Sequence, residues 1–147
     1  MSHFTEMQVD YLQKNEAQLV AALEECFGQG NVEVHEEGAG LMGYGGDNRS
    51  KLSKTNANYA PPCHIIIRRK HVGGAANDIG YCRTEDGKYA AYVSDYDKGA
   101  NFNKAKQNQV TQDYTVGVTT KQMKNQGYMV KKVTDKGVVK LTVSRYI

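Results

Sequence analysis

Two basic clusters in the first half of the chain have the composition of an anion-binding site. The first is a glycine-rich run over residues 43–51, where glycines would let backbone N–H groups approach an anion and two cations add charge. The Gly-Lys-Ser/Thr ending of a phosphate-binding P-loop is missing, so a mobile loop without a ligand is the alternative. The candidate ligand-binding residues here are Gly43, Tyr44, Gly45, Gly46, Arg49 and Lys51.

The second cluster is Arg68-Arg69-Lys70-His71, directly after a run of three isoleucines. If the strand continues through it, Arg68 and Lys70 point to one side and Arg69 and His71 to the other. Two arginines can hold a phosphate or carboxylate bidentately, and an ordinary exposed strand end is the alternative. Arg68, Arg69 and His71 are therefore the ligand-binding candidates of this cluster. His64, at the other end of the run, is expected to be a structural residue of the sheet.

Acidic residues form a third set, which consists of Asp78, Glu85, Asp86, Asp95 and Asp97. Paired carboxylates can perform acid–base chemistry or bind a metal. Here they fall at expected turns and strand ends, which favours structural roles. No Ser-His-Asp or Cys-His arrangement stands in a recognisable context. The sequence does not exclude enzymatic activity but favours a protein without it. It predicts no catalytic residue, cofactor or metal ligand.

Aromatic composition is dominated by ten tyrosines, beside three phenylalanines and no tryptophan. Tyr44 and Tyr59, together with Tyr92 and Tyr96, would stack on bases next to the basic clusters, or alternatively pack in the core. The three cysteines are too far apart in sequence to indicate a zinc site or a disulfide framework, so free thiols are predicted.

The elements that must position these residues follow from periodicity and turn signals. The clearest is a helix from Glu16 to Phe27, whose apolar residues recur at helical spacing and which ends at Gly28. Asn15 is its expected N-cap. A strand is predicted over His3–Val9 before this helix, and a short strand begins at Val32 after it.

Loop composition over residues 38–62, which hold five glycines and both prolines, predicts a long glycine- and asparagine-rich connection. Cys63–Lys70 is predicted to be a central strand. A strand from Asp78 and a return strand over Tyr89–Val93 flank an Asp-Gly turn. Residues 101–126 are helical in composition, and Thr115-Val116-Gly117 is expected to divide them into two helices.

A second hairpin is predicted at the end of the chain, from two alternating runs around residues 134–137. Together these elements predict an α+β fold in a single domain over residues 1–147. We expect a mainly antiparallel sheet of about five to seven strands, with two or three helices packed on one face.

Charge is unevenly distributed although the net value is only +3. Residues 1–40 carry eight acids and one lysine, whereas residues 104–147 carry nine basic and two acidic residues. A basic third of this kind indicates either a phosphate-binding surface or ordinary solvated lysines. The chain contains neither a membrane-spanning apolar run nor a signal-peptide pattern, so a cytoplasmic location is expected.

Several short motifs occur in a fixed order along the chain. They are Met1-Ser2-His3-Phe4, Gly43-Tyr44-Gly45, Ile65-Ile66-Ile67-Arg68, Asp78-Ile79-Gly80-Tyr81, Glu85-Asp86-Gly87-Lys88-Tyr89, Asp95, Gly127-Tyr128 and Gly137. This ordered set resembles the family called domain of unknown function 1257, the hypothetical chloroplast reading frame 35 group, found in cyanobacteria, algal plastids and phages. The resemblance implies a compact α+β fold and an intracellular protein, as a diverged phage or cyanobacterial member, and brings no assigned activity.

These observations favour a non-enzymatic binding protein for an anionic, nucleotide-like small molecule. In a phage member, such a protein could sequester a nucleotide signal of the host. The first alternative is a nucleic-acid-binding module that uses the basic C-terminal third. The second is a structural subunit that contacts a protein partner, or further copies of itself, through the long loop. No membrane partner is expected.

Overall fold

The computed structural model describes residues 4–145, which form seven strands and four α-helices. The strands are β1 (Phe4–Leu12), β2 (Val32–Ala39), β3 (Cys63–Ile67), β4 (Ile79–Arg83), β5 (Lys88–Ser94), β6 (Tyr128–Asp135) and β7 (Val138–Arg145). The helices are α1 (Glu16–Phe27), α2 (Arg69–Val72), α3 (Asp95–Gly99) and α4 (Lys104–Asn125).

Five strands form one antiparallel sheet in the order β1-β5-β4-β3-β2, and β6 and β7 form a separate hairpin. Each tight turn follows a local signal: Gly87 between β4 and β5 has φ of 82°, which glycine adopts without strain. The predicted α+β fold with a mainly antiparallel sheet is confirmed. No helix within residues 4–145 is both long and apolar enough to cross a membrane.

One face of the sheet carries the larger core, which α1 and α4 cover. Ile65, Ile67 and Tyr81 from the sheet join Leu19 and Leu23 of α1 in a single buried cluster. Sheet residues of alternate positions share a face, so these side chains all point toward the helices. The expected packing of the main helices on one face is confirmed.

The opposite face of the sheet is covered by the long loop instead of a helix. Leu41 and Ala60, near the two ends of the loop, are fully buried against Phe4, Cys63 and Ile66. Because β2 continues to Ala39, the loop begins at residue 40 and not at 38. The glycine-rich segment is therefore held by apolar contacts at both ends.

Three expectations about local structure are wrong: the extent of the central strand, the division of the second long helical segment, and the N-cap role of Asn15. The strand predicted over Cys63–Lys70 ends at Ile67, and a helical turn, α2, follows it. Arg68 and Lys70 therefore do not alternate with Arg69 and His71 as they would on a strand. The turn forms because the Arg69 N–H donates to the carboxylate of Asp78 at 2.6 Å, which draws the chain away from the sheet.

The segment predicted as two helices is the single 22-residue helix α4. Gly117, expected to interrupt it, lies against α1, where an added Cβ would be only 3.3 Å from Gln18 Cγ. Close packing of the two helices thus outweighs the low helix propensity of this position. Asn15 does precede α1, but its side chain makes no capping bond and donates to the Tyr114 hydroxyl at 3.3 Å.

Candidate functional site

Asp78 is the centre of the region where the two predicted clusters meet. Its side chain is 1% exposed, and it accepts hydrogen bonds from the Met42 N–H at 2.8 Å and the Arg69 N–H at 2.6 Å. The Asp78 N–H in turn donates to the Met42 carbonyl. One carboxylate therefore ties the start of the long loop to α2.

Arg68 is paired and part of this framework. It donates to Asp78 Oδ2 at 2.9 Å, to Glu33 Oε1 at 3.0 Å and to the Gly40 carbonyl at 3.0 Å. Burial disfavours the charged guanidinium, but the hydrogen bonds and charges of Asp78 and Glu33 outweigh it and raise the Arg68 pKa. Two carboxylates thus compensate the cation that was expected to bind ligand.

A second buried polar network continues from Asp78 to α3. Asn77 donates its N–H to Asp97 Oδ2 at 3.0 Å and its side-chain amide to the Ser94 hydroxyl at 3.0 Å. Ser94 caps α3 by accepting from the Asp97 N–H, and Asn101 donates to Asp97 Oδ1 at 2.9 Å. Both Asp78 and Asp97 therefore have structural roles, as the sequence favoured for the acidic residues.

A cavity of about 350 Å³ opens above this framework, and its walls come from the loop, α2 and the segment before β4. Arg69 and Lys70 are both exposed at this cavity, and Asp78 fixes the backbone N–H of Arg69. The lining residues are Met42, Arg68, Arg69, Lys70, Gly73, Ala75, Ala76 and Asp78.

An adjacent cavity of about 450 Å³ also has Ala75 in its wall. Its lining residues are Tyr44, Gly45, Asp47, Arg49, Ala75, Asn77 and Tyr96. We call the two cavities together the Ala75 cleft. Tyr44 and Tyr96 are 60% and 45% exposed, although four other tyrosines of the described residues are buried in the core. The cleft therefore offers two accessible aromatic rings beside the cations.

Arg49 is only 4% exposed, but it forms part of the wall of this second cavity. Its guanidinium lies over the Phe4 ring, 5.2 Å from the centroid. Its Nε makes no hydrogen bond, and Asp47 Oδ2 lies 3.5 Å away, longer than an ordinary hydrogen bond. Gly43 makes room for it, because a Cβ there would be 2.3 Å from Arg49 Nη2. Arg49 is thus a buried cation with a long ion pair to Asp47 and an Nε that makes no hydrogen bond.

The turn at Gly43–Asp47 positions Tyr44 over the cleft. The Gly46 N–H donates to the Gly43 carbonyl, and the Gly43 N–H donates to the Asp47 carbonyl. Gly46 has φ of 86°, so its lack of a side chain serves this turn. The Tyr44 N–H donates to Asn77 Oδ1 at 2.8 Å. This backbone N–H is therefore already used and is not available to bind an anion.

Of the predicted site residues, Tyr44, Gly45, Arg49, Arg68 and Arg69 line the cleft, and Gly43 and Gly46 shape it. Two lie elsewhere. Lys51 is exposed at the end of a short 3₁₀ helix, and His71 lines neither cavity.

Several residues that line the cleft were not among the predicted ligand-binding residues, and Lys70, Asn77 and Ala75 are three of them. Asn77 and Ala75 carry no local signal, since their roles depend on contacts with distant parts of the chain. Helix α3, which carries Tyr96, does have a signal. Ser94 and Asp97 have the spacing of a capping box, and that pattern indicates a helix start.

His64 has the structural role expected of it. Its Nδ1 accepts the Arg83 N–H at 3.0 Å. Burial and the neighbouring Arg83 guanidinium lower the His64 pKa, against the opposing effect of Glu16, Glu36 and Glu37. The neutral imidazole is therefore the form that fits this position.

Comparison with models of protein families, with curated proteins and with solved structures finds no match to this chain. The resemblance to the domain of unknown function 1257 family therefore stays a prediction, and the function must be argued from the geometry of the cleft.

Proposed function

We propose that the protein binds an anionic small molecule with a planar ring, such as a nucleotide, in the Ala75 cleft. The observation that carries this proposal is the position of Arg49. A buried guanidinium is costly unless its charge is compensated, and its Nε makes no hydrogen bond. A bound phosphate or carboxylate near the cavity wall would add negative charge beside this guanidinium, whose ion pair with the half-exposed Asp47 is 3.5 Å long.

The rest of the cleft fits a ligand of this class. Each cavity has a volume within the range of about 300–1,000 Å³ found for small-molecule sites. Tyr44 and Tyr96 offer exposed aromatic faces, and stacking of a base on such a ring contributes about 1–3 kcal/mol. Arg69 and Lys70 add two solvent-facing cations at the neighbouring cavity.

Arg68 has a different role in this proposal from the one predicted by the sequence. Its partners Asp78 and Glu33 compensate its charge, so it holds the backbone of α2 in place. The ligand is then bound by Arg49, Arg69 and Lys70, with Tyr44 and Tyr96 at the ring. The proposed role is binding without catalysis, in the cytoplasm, where the free thiols of Cys26, Cys63 and Cys82 would stay reduced.

Isothermal titration calorimetry with adenosine and guanosine mono- and triphosphates, and with inorganic phosphate, tests the proposal. Arg69→Gln should weaken nucleotide binding by about 1.5–3 kcal/mol, the contribution of a hydrogen bond to a charged group. Arg145→Gln is the matched control, because it removes an exposed arginine of β7 that lines neither cavity of the cleft. Equal losses in the two variants would contradict the assignment.

The role of the ring is tested at Tyr44, which is exposed and can be changed without disturbing the core. Tyr44→Phe keeps the aromatic face and should keep nucleotide affinity. Tyr44→Leu keeps apolar area but removes the ring, and should lose about 1–3 kcal/mol of binding free energy. If both variants bind as the wild type does, Tyr44 takes no part in binding.

A further inference from the structure

The C-terminal hairpin has a regular geometry that leaves one of its faces in solvent. Strands β6 and β7 pair over eight residues each, from Tyr128↔Arg145 to Asp135↔Val138. The turn between them has positive φ at both Lys136 and Gly137, the turn type that matches the twist of paired strands. At about 3.3 Å per residue, the ribbon is roughly 26 Å long.

Opposite residues of a hairpin share a face, so the register assigns every side chain to one of two sides. The inner face includes Val130 and Lys132, which border a groove between the hairpin and helices α1 and α4. We define the outer face by the other set, all of whose members are exposed. They are Met129, Lys131, Val133, Asp135, Val138, Lys140, Thr142 and Ser144.

The charge of the hairpin is almost entirely positive and unpaired. Its 18 residues include five cations and one acid, Asp135. No ion pair among residues 4–145 involves any of the five cations. By contrast, Arg68 at the end of β3 and Arg83 in β4 each pair with two carboxylates. The cations are Lys131, Lys132, Lys136, Lys140 and Arg145.

We propose that this hairpin binds a nucleic-acid duplex, with the lysines of the outer face and tip on the phosphates. Phosphate backbones carry a dense negative charge that complements such a ribbon, and the major groove of B-DNA admits a two-stranded β-ribbon. Lys131 and Lys140 lie on the outer face and Lys136 at the tip, so cations extend along the ribbon. The exposed Met129, Val133 and Val138 would contact sugars and base edges between them.

A second copy of the chain fits this face less well. A two-fold contact brings the same patch of both copies together. Lys131 and Lys140 would then face lysines of the other copy, with only Asp135 to compensate them. Like charges in direct contact are unfavourable, whereas the phosphates of a duplex compensate every one of these cations.

Fluorescence anisotropy of a labelled 24-base-pair DNA duplex tests the proposal. The duplex is titrated with the full chain at salt concentrations from 50 to 200 mM. If the three lysines of the outer face and tip contact phosphates, affinity should fall with a logarithmic salt slope of about −2.7. Lys131→Gln/Lys140→Gln should reduce that slope by about two and weaken binding at low salt. Lys54→Gln/Lys98→Gln, which removes the same charge from the long loop and α3, should leave both unchanged.

Several results would overturn the proposal. Absence of duplex binding at 50 mM salt would do so, as would binding that does not respond to salt. An equal loss in the Lys54→Gln/Lys98→Gln control would show a diffuse charge effect with no role for the hairpin. A salt-sensitive dimer without duplex binding, seen by sedimentation, would assign the face to a second copy, and binding of anionic vesicles alone would assign it to a lipid surface.

Discussion

The region around Asp78 and the C-terminal hairpin use charged residues in opposite ways. Around Asp78, the buried carboxylates are surrounded by donors, and the arginine beside them has two acidic partners. On the hairpin, five exposed cations have no ion pair within residues 4–145. Charge in the first region stabilises the fold, whereas charge in the second is available to a partner.

The Ala75 cleft contains both kinds of charge, one that is paired and one that is less completely paired. Arg68 on one side has complete partners, while Arg49 on the other has a Nε without a hydrogen bond. The sequence alone gives no way to distinguish the two arginines, because the difference is in the residues that contact them in the fold. The comparison predicts that substitutions around Arg68 change stability and that substitutions around Arg49 change binding as well.

The largest effect is expected from Asp78→Ala. This substitution removes the acceptor of the Met42 and Arg69 N–H groups and one partner of Arg68. Breaking such a buried pair costs about 3–5 kcal/mol of unfolding free energy. Urea denaturation should show this loss, and Glu85→Ala, in the exposed turn before β5, should stay within about 0.5 kcal/mol of the wild type. Equal stabilities would contradict a structural role for Asp78.

An intermediate effect is expected from Gly43→Ala, because the new Cβ would be within 2.3–2.7 Å of three atoms of the Arg49 guanidinium. Overpacking of this kind costs about 1–3 kcal/mol, and displacement of Arg49 should also weaken nucleotide binding. Gly99→Ala is the control, since its Cβ would meet no atom within 4 Å. A variant that loses stability but binds nucleotide normally would remove Arg49 from the binding site.

Local signals explain much of what the sequence predicts correctly. Helix α1 has a clear apolar period and a glycine at its end, and both hairpins have Gly at the turn. The turn α2 could not be predicted in this way, because it depends on an Asp78 carboxylate nine residues further along the chain. The unbroken α4 likewise depends on the contact of Gly117 with Gln18.

The same distinction applies to the site. The glycine-rich segment forms one wall of the cleft through Tyr44, Gly45 and Arg49, and its role in binding stays a prediction. The pairing of Arg68 with Glu33 joins residues 35 positions apart, so no run of sequence reveals it. Composition thus identifies the charged residues of a site, but tertiary contacts determine which of their charges are already compensated.

A smaller effect is expected from pH, through His64. Burial and Arg83 lower its pKa in the folded protein, so the unfolded chain binds a proton more readily. Stability from this group is complete above the unfolded pKa of about 6.5 and is lost as pH falls toward the lower folded value. Urea denaturation between pH 7.5 and 5.5 should show this decline, and His64→Gln should flatten it. An identical slope in the variant would contradict the assignment.

The smallest effect on stability is expected from Lys140→Ala on the outer face of the hairpin. Its side chain is exposed and has no ion pair with any other described residue, so the unfolding free energy should change by no more than about 0.5 kcal/mol. The same variant should weaken duplex binding. A large loss of stability would show that this lysine stabilises the fold, as Asp78 does, and would remove the contrast between the two regions.

Native mass spectrometry of the purified full chain, before and after incubation with millimolar nucleotides, tests the central claim most directly. The account predicts a mass increase of one phosphorylated compound per chain, reduced in Arg69→Gln and Tyr44→Leu and retained in Arg145→Gln and Tyr44→Phe. Denaturation should then release the compound for identification. A mass equal to that of the bare chain under both conditions would contradict ligand binding in the Ala75 cleft.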